Sequence, residues 1–154
     1  MSIRIEDILS AEHCLTEAPI TSKKKLLEYL ASFIANALPE SSSNDIFERF
    51  LNRERLGSTG IGEGVAIPHC RLPQCKQPFG VLLKLDEAID YGAMDHRPVD
   101  LIFALLVPEE TDSQHLKVLA MLARSFTEPS FREALRNAPN ADQLYQRAIN
   151  LQQP

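Results

Sequence analysis

The segment Val99–Val107, VDLIFALLV, is the feature that most limits the fold, because it is apolar at every position except Asp100. Its length suits one β-strand and is far too short for a membrane span. A strand with one solvated face alternates apolar and polar side chains, whereas a continuous apolar run indicates a strand covered on both faces. The segment therefore predicts a central strand with packed layers above and below it.

Helical patterns surround this strand in the sequence. In residues 22–38, apolar side chains recur at steps of three and four, and Pro39 follows, which predicts an amphipathic helix that ends there. Several serines before residues 45–55 suit the N-cap of a second helix. We expect further helices at 112–126, 129–137 and 140–151, and further strands at 65–67 and 79–85. The predicted fold class is α/β, a single-domain sandwich in which one mixed β-sheet has helices on both faces.

The composition indicates one domain that covers residues 1–154. A chain of 154 residues, 44% of them hydrophobic, can bury one sizeable core but hardly two. The net charge of −5 is spread along the chain, which argues against nucleic acid and against an anionic membrane surface as partners. No segment has the character of a signal peptide or a membrane span, so we expect a cytoplasmic protein without membrane insertion.

The cysteines are Cys14, Cys70 and Cys75. An odd number without a paired framework suits a reducing compartment, so we expect free thiols. His69 lies near Cys70 and Cys75, but the second ligand cluster that a structural zinc site normally needs is missing. We therefore predict no metal site.

A glycine-rich segment, Gly57–Gly64 (GSTGIGEG), holds four of the six glycines in the chain. Its backbone should form turns or approach another group closely. The pair Arg53-Glu54 precedes it, and the sequence Val65-Ala66-Ile67-Pro68-His69 follows it directly. Farther along, LIFALLVPEE at residues 101–110 is followed by Gln114-His115-Leu116.

Together these elements resemble the fructose/mannitol/nitrogen class of enzyme IIA of the bacterial phosphotransferase system. The resemblance covers about residues 3–150 and is greatest to the nitrogen-type members, which are free-standing regulators. It implies that His69 takes a phosphoryl group from a histidine phosphocarrier protein, that its phosphorylation state acts on regulatory target proteins, and that no cofactor takes part. We expect no linker at either end, which favours the regulator over the alternative, a stand-alone fructose- or mannitol-type protein that passes phosphate to a sugar permease.

The local sequence around His69 suits this chemistry. A phosphohistidine needs an exposed imidazole in which a hydrogen bond fixes one ring nitrogen while the other faces the donor. A strand end followed by Pro68 could hold the ring in this way. We therefore predict that His69 is the phosphorylated residue.

His115 is the second candidate. The sequence Thr111-Asp112-Ser113-Gln114 has the pattern of a capping box with Thr111 as N-cap, which places His115 in the first turn of a helix. A helix N-terminus disfavours a charged imidazole and offers backbone N–H groups to an anion. The family resemblance implies that His115 hydrogen-bonds the phosphoryl group or orients His69. A half-buried histidine at the rim of the core is the alternative.

Arg53 and Glu54 lie near the C-terminal end of the second predicted helix. A guanidinium matches phosphate oxygens in a fork, so Arg53 is a candidate phosphate ligand, although it could also be a solvated arginine at a helix C-terminus, a role that Arg55 could equally fill. Glu54 lies on the apolar arc of the helix. We expect its carboxylate to accept from the backbone N–H groups of the Ser58-Thr59-Gly60 turn or to pair with a base, because an unpaired buried carboxylate is costly.

The turn Ser58-Thr59-Gly60 carries hydroxyl and N–H donors, enough to bind one phosphate, although such residues are ordinary in turns. His13 and His96 have no comparable context, and we expect both to be surface histidines. Two other functions are weaker alternatives. One is a protein-binding module in which His69 is vestigial, and the other is a hydrolase, for which the sequence lacks a G-x-S-x-G nucleophile elbow.

Overall fold

The computed structural model describes residues 3–110 and 113–153. These ranges contain two short 3₁₀ helices, Ile5–Asp7 and Ala11–His13, and five α-helices: α1 (Lys23–Ala37), α2 (Ser43–Arg55), α3 (Gln114–Thr127), α4 (Pro129–Arg136) and α5 (Ala141–Leu151). They also contain six strands: β1 (Cys14–Leu15), β2 (Gly60–Gly62), β3 (Val65–Ala66), β4 (His69–Leu72), β5 (Phe79–Ile89) and β6 (Val99–Pro108). Within them, no helix has the length and apolar character needed to cross a bilayer.

The sheet is mixed and is built around β6. Along one edge β6 pairs antiparallel with β5, and β5 in turn pairs in parallel with β1. Along the other edge β6 runs parallel first to β3 and then to β4, while β2 pairs antiparallel with β3. The predicted central strand is therefore confirmed.

Side chains of β6 enter two separate cores, one on each face of the sheet. Ile102, Ala104 and Leu106 belong to the core that contains the buried face of α1 and α2. Leu101, Phe103 and Leu105 belong to the core that contains buried side chains of α3, α4 and α5. This alternation follows from the two-residue repeat of a strand. It confirms the predicted α/β sandwich with helices on both faces.

The helix boundaries follow local chemistry. Ser22 caps α1 by accepting a hydrogen bond from the N–H of Lys25, and Ser42 caps α2 by accepting from that of Asp45. The second helix thus begins two residues before the predicted start at residue 45. It ends beside Gly57, whose φ of +145° lies in the region that favours glycine.

The start of α3 differs from the prediction. Its first helical residue is Gln114 and its N-cap is Ser113, which makes no side-chain capping bond. The predicted N-cap, Thr111, and its neighbour Asp112 lie outside the described residues. His115 nevertheless lies in the first turn, as the sequence predicts.

Three strands were not predicted. They are β1, which has two residues, β2, which lies inside the glycine-rich segment, and β4, which follows Pro68 directly, whereas β3 corresponds to the strand predicted at 65–67. Strands this short carry too few residues for an alternation to be visible. Conversely, β5 continues to Ile89, beyond the predicted end at residue 85, through exposed charged residues.

Candidate functional site

His69 lies where the strand beside β6 is interrupted. Ala66 is in register with Ile102 and His69 with Leu105, and between them Ile67 and Pro68 leave the regular ladder. The N–H of Ile67 donates to the carbonyl of Thr59 (2.9 Å), and the N–H of Leu105 donates to the carbonyl of Pro68 (2.9 Å). His69 is thus the first residue of β4, held on both sides by the sheet, and is half-buried.

The interruption fixes the protonation of the ring. The carbonyl of Ile67 does not enter a strand ladder here and lies 2.7 Å from Nδ1 of His69. A carbonyl oxygen can only accept a hydrogen bond, so Nδ1 carries the proton. The lone pair of the neutral ring therefore lies on Nε2, which accepts a hydrogen bond from Nε of Arg53 (3.3 Å).

The surroundings favour the neutral form of this imidazole. Burial lowers the pKa of His69, and the positive charge of Arg53 and the nearby ring of His115 lower it further, while the Ile67 carbonyl and the Glu54 carboxylate act in the opposite direction. A neutral ring with its lone pair on Nε2 is a nucleophile. The predicted hydrogen bond to one ring nitrogen is present, but the residue is half-buried rather than exposed.

Arg53 lies in the last turn of α2 and joins two parts of the site. Besides its contact with His69, it donates from Nη1 to the carbonyl of Gly57 (2.8 Å). Neither acceptor is charged, so these two contacts leave the positive charge of Arg53 uncompensated beside Nε2. That charge is placed to attract an anion to the ring.

His69 and His115 line one pocket of about 390 Å³, which lies between α2, β4 and the start of α3. Three arginines line it, and its other walls are mainly apolar: the lining residues are Arg49, Asn52, Arg53, Leu56, His69, Cys70, Arg71, Val107, His115, Leu116 and Leu119. Arg49 is ion-paired with Asp45 and Glu109. The two predicted histidines, far apart along the chain, thus line the same pocket, and a contact of both with one phosphoryl group stays a prediction.

Two exposed leucines lie on the lining of this pocket. Leu56 is 84% exposed and Leu116 is 59% exposed, and both line the pocket. Large exposed apolar side chains that cluster beside a functional site are typical of protein-binding surfaces. The basic interior and the leucine rim together fit a partner that brings an anionic group on a protein surface.

The carboxylate of Glu54 is buried, and both of its oxygens have partners. Its side chain is only 6% exposed and forms a salt bridge with Lys23 (2.9 Å). It also accepts from the backbone N–H of Thr59 (3.1 Å) and from the Thr59 hydroxyl. Both kinds of partner that the sequence suggested, a base and the N–H groups of the following turn, are therefore present.

The turn Ser58-Thr59-Gly60 does not supply the phosphate donors that the sequence predicts at two of its positions. The N–H and hydroxyl of Thr59 are directed to Glu54, and the N–H of Gly60 is directed to Oγ of Ser58 (3.1 Å). Thr59 and Gly60 are buried and do not line the pocket. Gly60 is required by packing, since an added Cβ would lie 2.7 Å from Cβ of Ala93. A phosphate-binding role for Ser58 stays a prediction.

His13 also differs from the prediction, whereas His96 is exposed as expected. The ring of His13 lies 4.6 Å from the ring of Phe79 and 5.8 Å from that of Phe33, and Nδ1 is 3.0 Å from Oγ of Ser10. Burial lowers the pKa of His13. It is a packed histidine in a structural position.

Sequence reasoning missed several residues of the site. Arg49 precedes Arg53 by four positions on α2, a spacing that places both on one helix face and could have identified it. Lys23, the partner of the buried Glu54 carboxylate, was also missed. A lysine at the N-terminus of a helix is electrostatically unfavourable, so Lys23 carried a signal that it has a partner elsewhere.

Comparison with known proteins agrees with this geometry. Residues 7–150 match the family model described as phosphoenolpyruvate-dependent sugar phosphotransferase system, EIIA 2. The chain belongs to this family. Among curated relatives of this type 2 enzyme IIA, the nitrogen regulatory protein of Pseudomonas aeruginosa is 45% identical over 150 residues, with 97% of each chain covered. The fructose-specific EIIA component of Haloferax volcanii is 31% identical over 134 residues, with 87% of each chain covered.

The fold of this enzyme IIA also matches a solved relative. The crystal structure of the nitrogen regulatory protein IIA-Ntr from Neisseria meningitidis superimposes with a TM-score of 0.86 at 41% sequence identity, covering 94% of this chain and 97% of that one. The resemblance of the sequence to the nitrogen-type members of the family is therefore confirmed.

Proposed function

We propose that His69 accepts a phosphoryl group on Nε2 from a histidine phosphocarrier protein and that the protein acts in regulation through its phosphorylation state. The observation that carries this proposal is the pair of contacts on one ring. Nδ1 is 2.7 Å from the Ile67 carbonyl, and Nε2 is 3.3 Å from Nε of Arg53. The nucleophilic nitrogen thus has a cation beside it and needs no deprotonation before it reacts.

The transfer can be written without any other catalyst. The Nε2 lone pair of His69 forms a bond to phosphorus while the bond from phosphorus to the donor's imidazole nitrogen breaks. The donor ring carries a proton on its other nitrogen, so it takes the electron pair of the broken bond and leaves as a neutral imidazole. Nδ1 of His69 keeps its proton throughout. The Ile67 carbonyl therefore faces an N–H that becomes more positive as the Nε2–phosphorus bond forms, which strengthens this hydrogen bond in the transition state.

Arg53 and His115 are the proposed phosphate ligands. As the transferring group passes between two nitrogens, negative charge is spread over its three outer oxygens, and positioned cations and N–H donors stabilise that charge. Arg53 is already beside Nε2, and His115 lines the same pocket near the start of α3. No metal, nucleotide or other cofactor is part of the proposal.

A protein donor is favoured by the pocket mouth. The exposed Leu56 and Leu116 provide apolar area around the histidine, more than a small phosphorylated metabolite would cover. Such a rim can pack against the surface of a phosphocarrier protein. The 45% identity with a nitrogen regulatory protein supports regulatory target proteins as further partners, and the more distant fructose-specific relative keeps transfer to a sugar permease as the alternative.

The test is incubation with phosphoenolpyruvate, the first phosphotransferase enzyme and the carrier, followed by mapping of the acid-labile phosphate. We expect one phosphoryl group on His69, none on the variant His69→Ala, and unchanged labelling of the control His96→Ala. Labelling of His69→Ala at the wild-type level would overturn the assignment. Onward transfer to a sugar-specific permease component would favour the alternative over the regulator.

A further inference from the structure

A buried polar network lies behind the proposed site. Its centre is the Glu54 carboxylate, which Lys23, the Thr59 N–H and the Thr59 hydroxyl contact. The Thr59 hydroxyl also lies 2.8 Å from the hydroxyl of Tyr91. These four residues, named here the Glu54 network, come from α1, the end of α2, the segment before β2 and the segment after β5. None of the four lines the pocket.

The position of Lys23 in α1 destabilises that helix. It is the first residue of α1, where the helix dipole is positive and a cation is unfavourable. Its Nζ nevertheless lies 2.9 Å from Oε1 of Glu54 and 4.4 Å from the centre of the Tyr91 ring. The ion pair with a carboxylate that is only 6% exposed and the cation–π contact offset the unfavourable placement.

Tyr91 holds the other side of the network. It is 1% exposed, and its ring packs in the core on the α1–α2 face of the sheet. Burial and the neighbouring Glu54 carboxylate raise the pKa of Tyr91, so its hydroxyl remains a neutral hydrogen-bonding group. Through its contact with the Thr59 hydroxyl, Tyr91 holds in place the side chain that binds Glu54.

The network reaches the reacting ring along two routes. Glu54 is bonded directly to Arg53 in the chain, so fixing Glu54 fixes the turn of α2 from which Arg53 reaches Nε2 of His69. Thr59 accepts from the N–H of Ile67 (2.9 Å), and Ile67 in turn accepts from Nδ1 of His69 (2.7 Å). Both hydrogen bonds of the His69 ring thus depend on residues that the network holds.

We infer that Lys23 and Tyr91 are positioning residues of the phosphotransfer site, which act through Glu54 and Thr59 to hold Arg53 and the Ile67 carbonyl against the His69 ring. This inference rests on the proposed function. A displacement of about 1 Å in a reacting arrangement can lower a rate by roughly 100-fold. Loosening the network should therefore slow the chemical step, although neither residue touches the pocket.

The first test compares Lys23→Met with Lys24→Met. Both variants remove one positive charge from the first turn of α1, but Lys24 is exposed. With wild-type carrier as donor, we expect Lys23→Met to lower the maximal rate of phosphoryl acceptance by at least about tenfold, with little change in the donor concentration that gives half-maximal rate. Lys24→Met should match the wild type, and Lys23→Arg should recover part of the rate because a guanidinium can still pair with Glu54.

The second test needs no donor and so separates this inference from the proposed function. Tyr91→Phe keeps the ring and every charge but removes the hydroxyl that fixes Thr59. We expect the NMR titration of the His69 ring to move to a higher pKa in this variant, because the Arg53 cation moves away from Nε2. Introducing Tyr91→Phe into Glu54→Gln should add little further shift, since both changes act through one network.

These outcomes decide the inference. If Lys23→Met and Tyr91→Phe fold and both keep the wild-type rate and the wild-type His69 titration, Lys23 and Tyr91 do not position the site. If Lys23→Met does not fold, Tyr91→Phe decides alone. A wild-type protein that accepts no phosphoryl group, but whose His69 titration shifts in Tyr91→Phe, would remove the proposed function and keep the positioning role.

Discussion

Replacing Glu54 by glutamine changes one buried oxygen into an NH₂ group and removes one charge. Oε1 takes the Lys23 ammonium at 2.9 Å and the Thr59 N–H at 3.1 Å, and Oε2 takes the Thr59 hydroxyl. If the amide oxygen occupies the Oε1 position, the new NH₂ can donate to the Thr59 hydroxyl, which then donates to Tyr91. The second hydrogen of the NH₂ group and the proton of the Tyr91 hydroxyl then lose their acceptors, so the loss combines the lost charge with weaker hydrogen bonding.

The expected loss of stability follows from the number and kind of these hydrogen bonds. Hydrogen bonds to a charged group contribute about 1.5–3 kcal/mol and neutral ones about 0.5–1.5 kcal/mol. The side chain of Lys23 is 29% exposed, so it can turn partly towards water when its partner becomes neutral. We therefore expect Glu54→Gln to lower the free energy of unfolding by about 1–3 kcal/mol, or the midpoint of thermal unfolding by roughly 3–9 °C.

Chemical denaturation monitored by circular dichroism measures this difference. Glu48→Gln is the matched control, because Glu48 lies on the same helix, is exposed, and undergoes the same chemical change. Surface changes of this kind usually alter stability by less than about 0.5 kcal/mol. If Glu54→Gln is no less stable than Glu48→Gln, the reasoning about the buried carboxylate is refuted.

Three further predictions concern the pocket. The pKa of the His69 ring, measured by NMR titration, should lie below the ordinary value of 6.5, since burial lowers it, and a midpoint at or above 6.5 would contradict this. The contribution of the neutral ring to folding stability is present above pH 6.5. It is lost as the pH falls through the folded-state pKa, because the unfolded chain binds more protons in that range. Arg53→Lys should slow phosphoryl acceptance far more than it lowers stability, because the charge remains but the planar fork does not; a wild-type rate would make Arg53 a solvated arginine. His115→Ala should still be labelled on His69 but about 100-fold more slowly, the usual effect of removing one preorganised donor, whereas a rim histidine would leave the single-turnover rate unchanged.

The layers of the fold could be predicted because their signals are long. Val99–Val107 spans most of β6, and the apolar periodicity of residues 22–38 and 45–55 covers several helical turns in α1 and α2. The remaining strands have two to four residues, apart from β5. Their pairing depends on contacts with β6 that are distant in sequence, and local patterns carry no information about such contacts.

The site could be predicted only in part for the same reason. His69, Arg53 and His115 belong to recognisable motifs, and they meet at one pocket. The donors of Thr59 and Gly60 were assigned to phosphate because a glycine-rich turn offers them, but the buried Glu54 carboxylate and the close approach of Ala93 determine their arrangement. Lys23 and Tyr91 reach this region from other elements, so no spacing within the motif could reveal them.

The hydrogen bond from Nδ1 of His69 to the Ile67 carbonyl has a consequence for how the proposed signal would be read. The proton on Nδ1 is not consumed in the transfer, so this bond can persist and the ring can keep its orientation before and after phosphorylation. The two states then differ chiefly by a phosphate dianion at the mouth of an arginine-lined pocket. A partner that distinguishes the two states would respond to the electrostatic potential and the shape at the pocket mouth. The backbone of the protein would remain the same in both states.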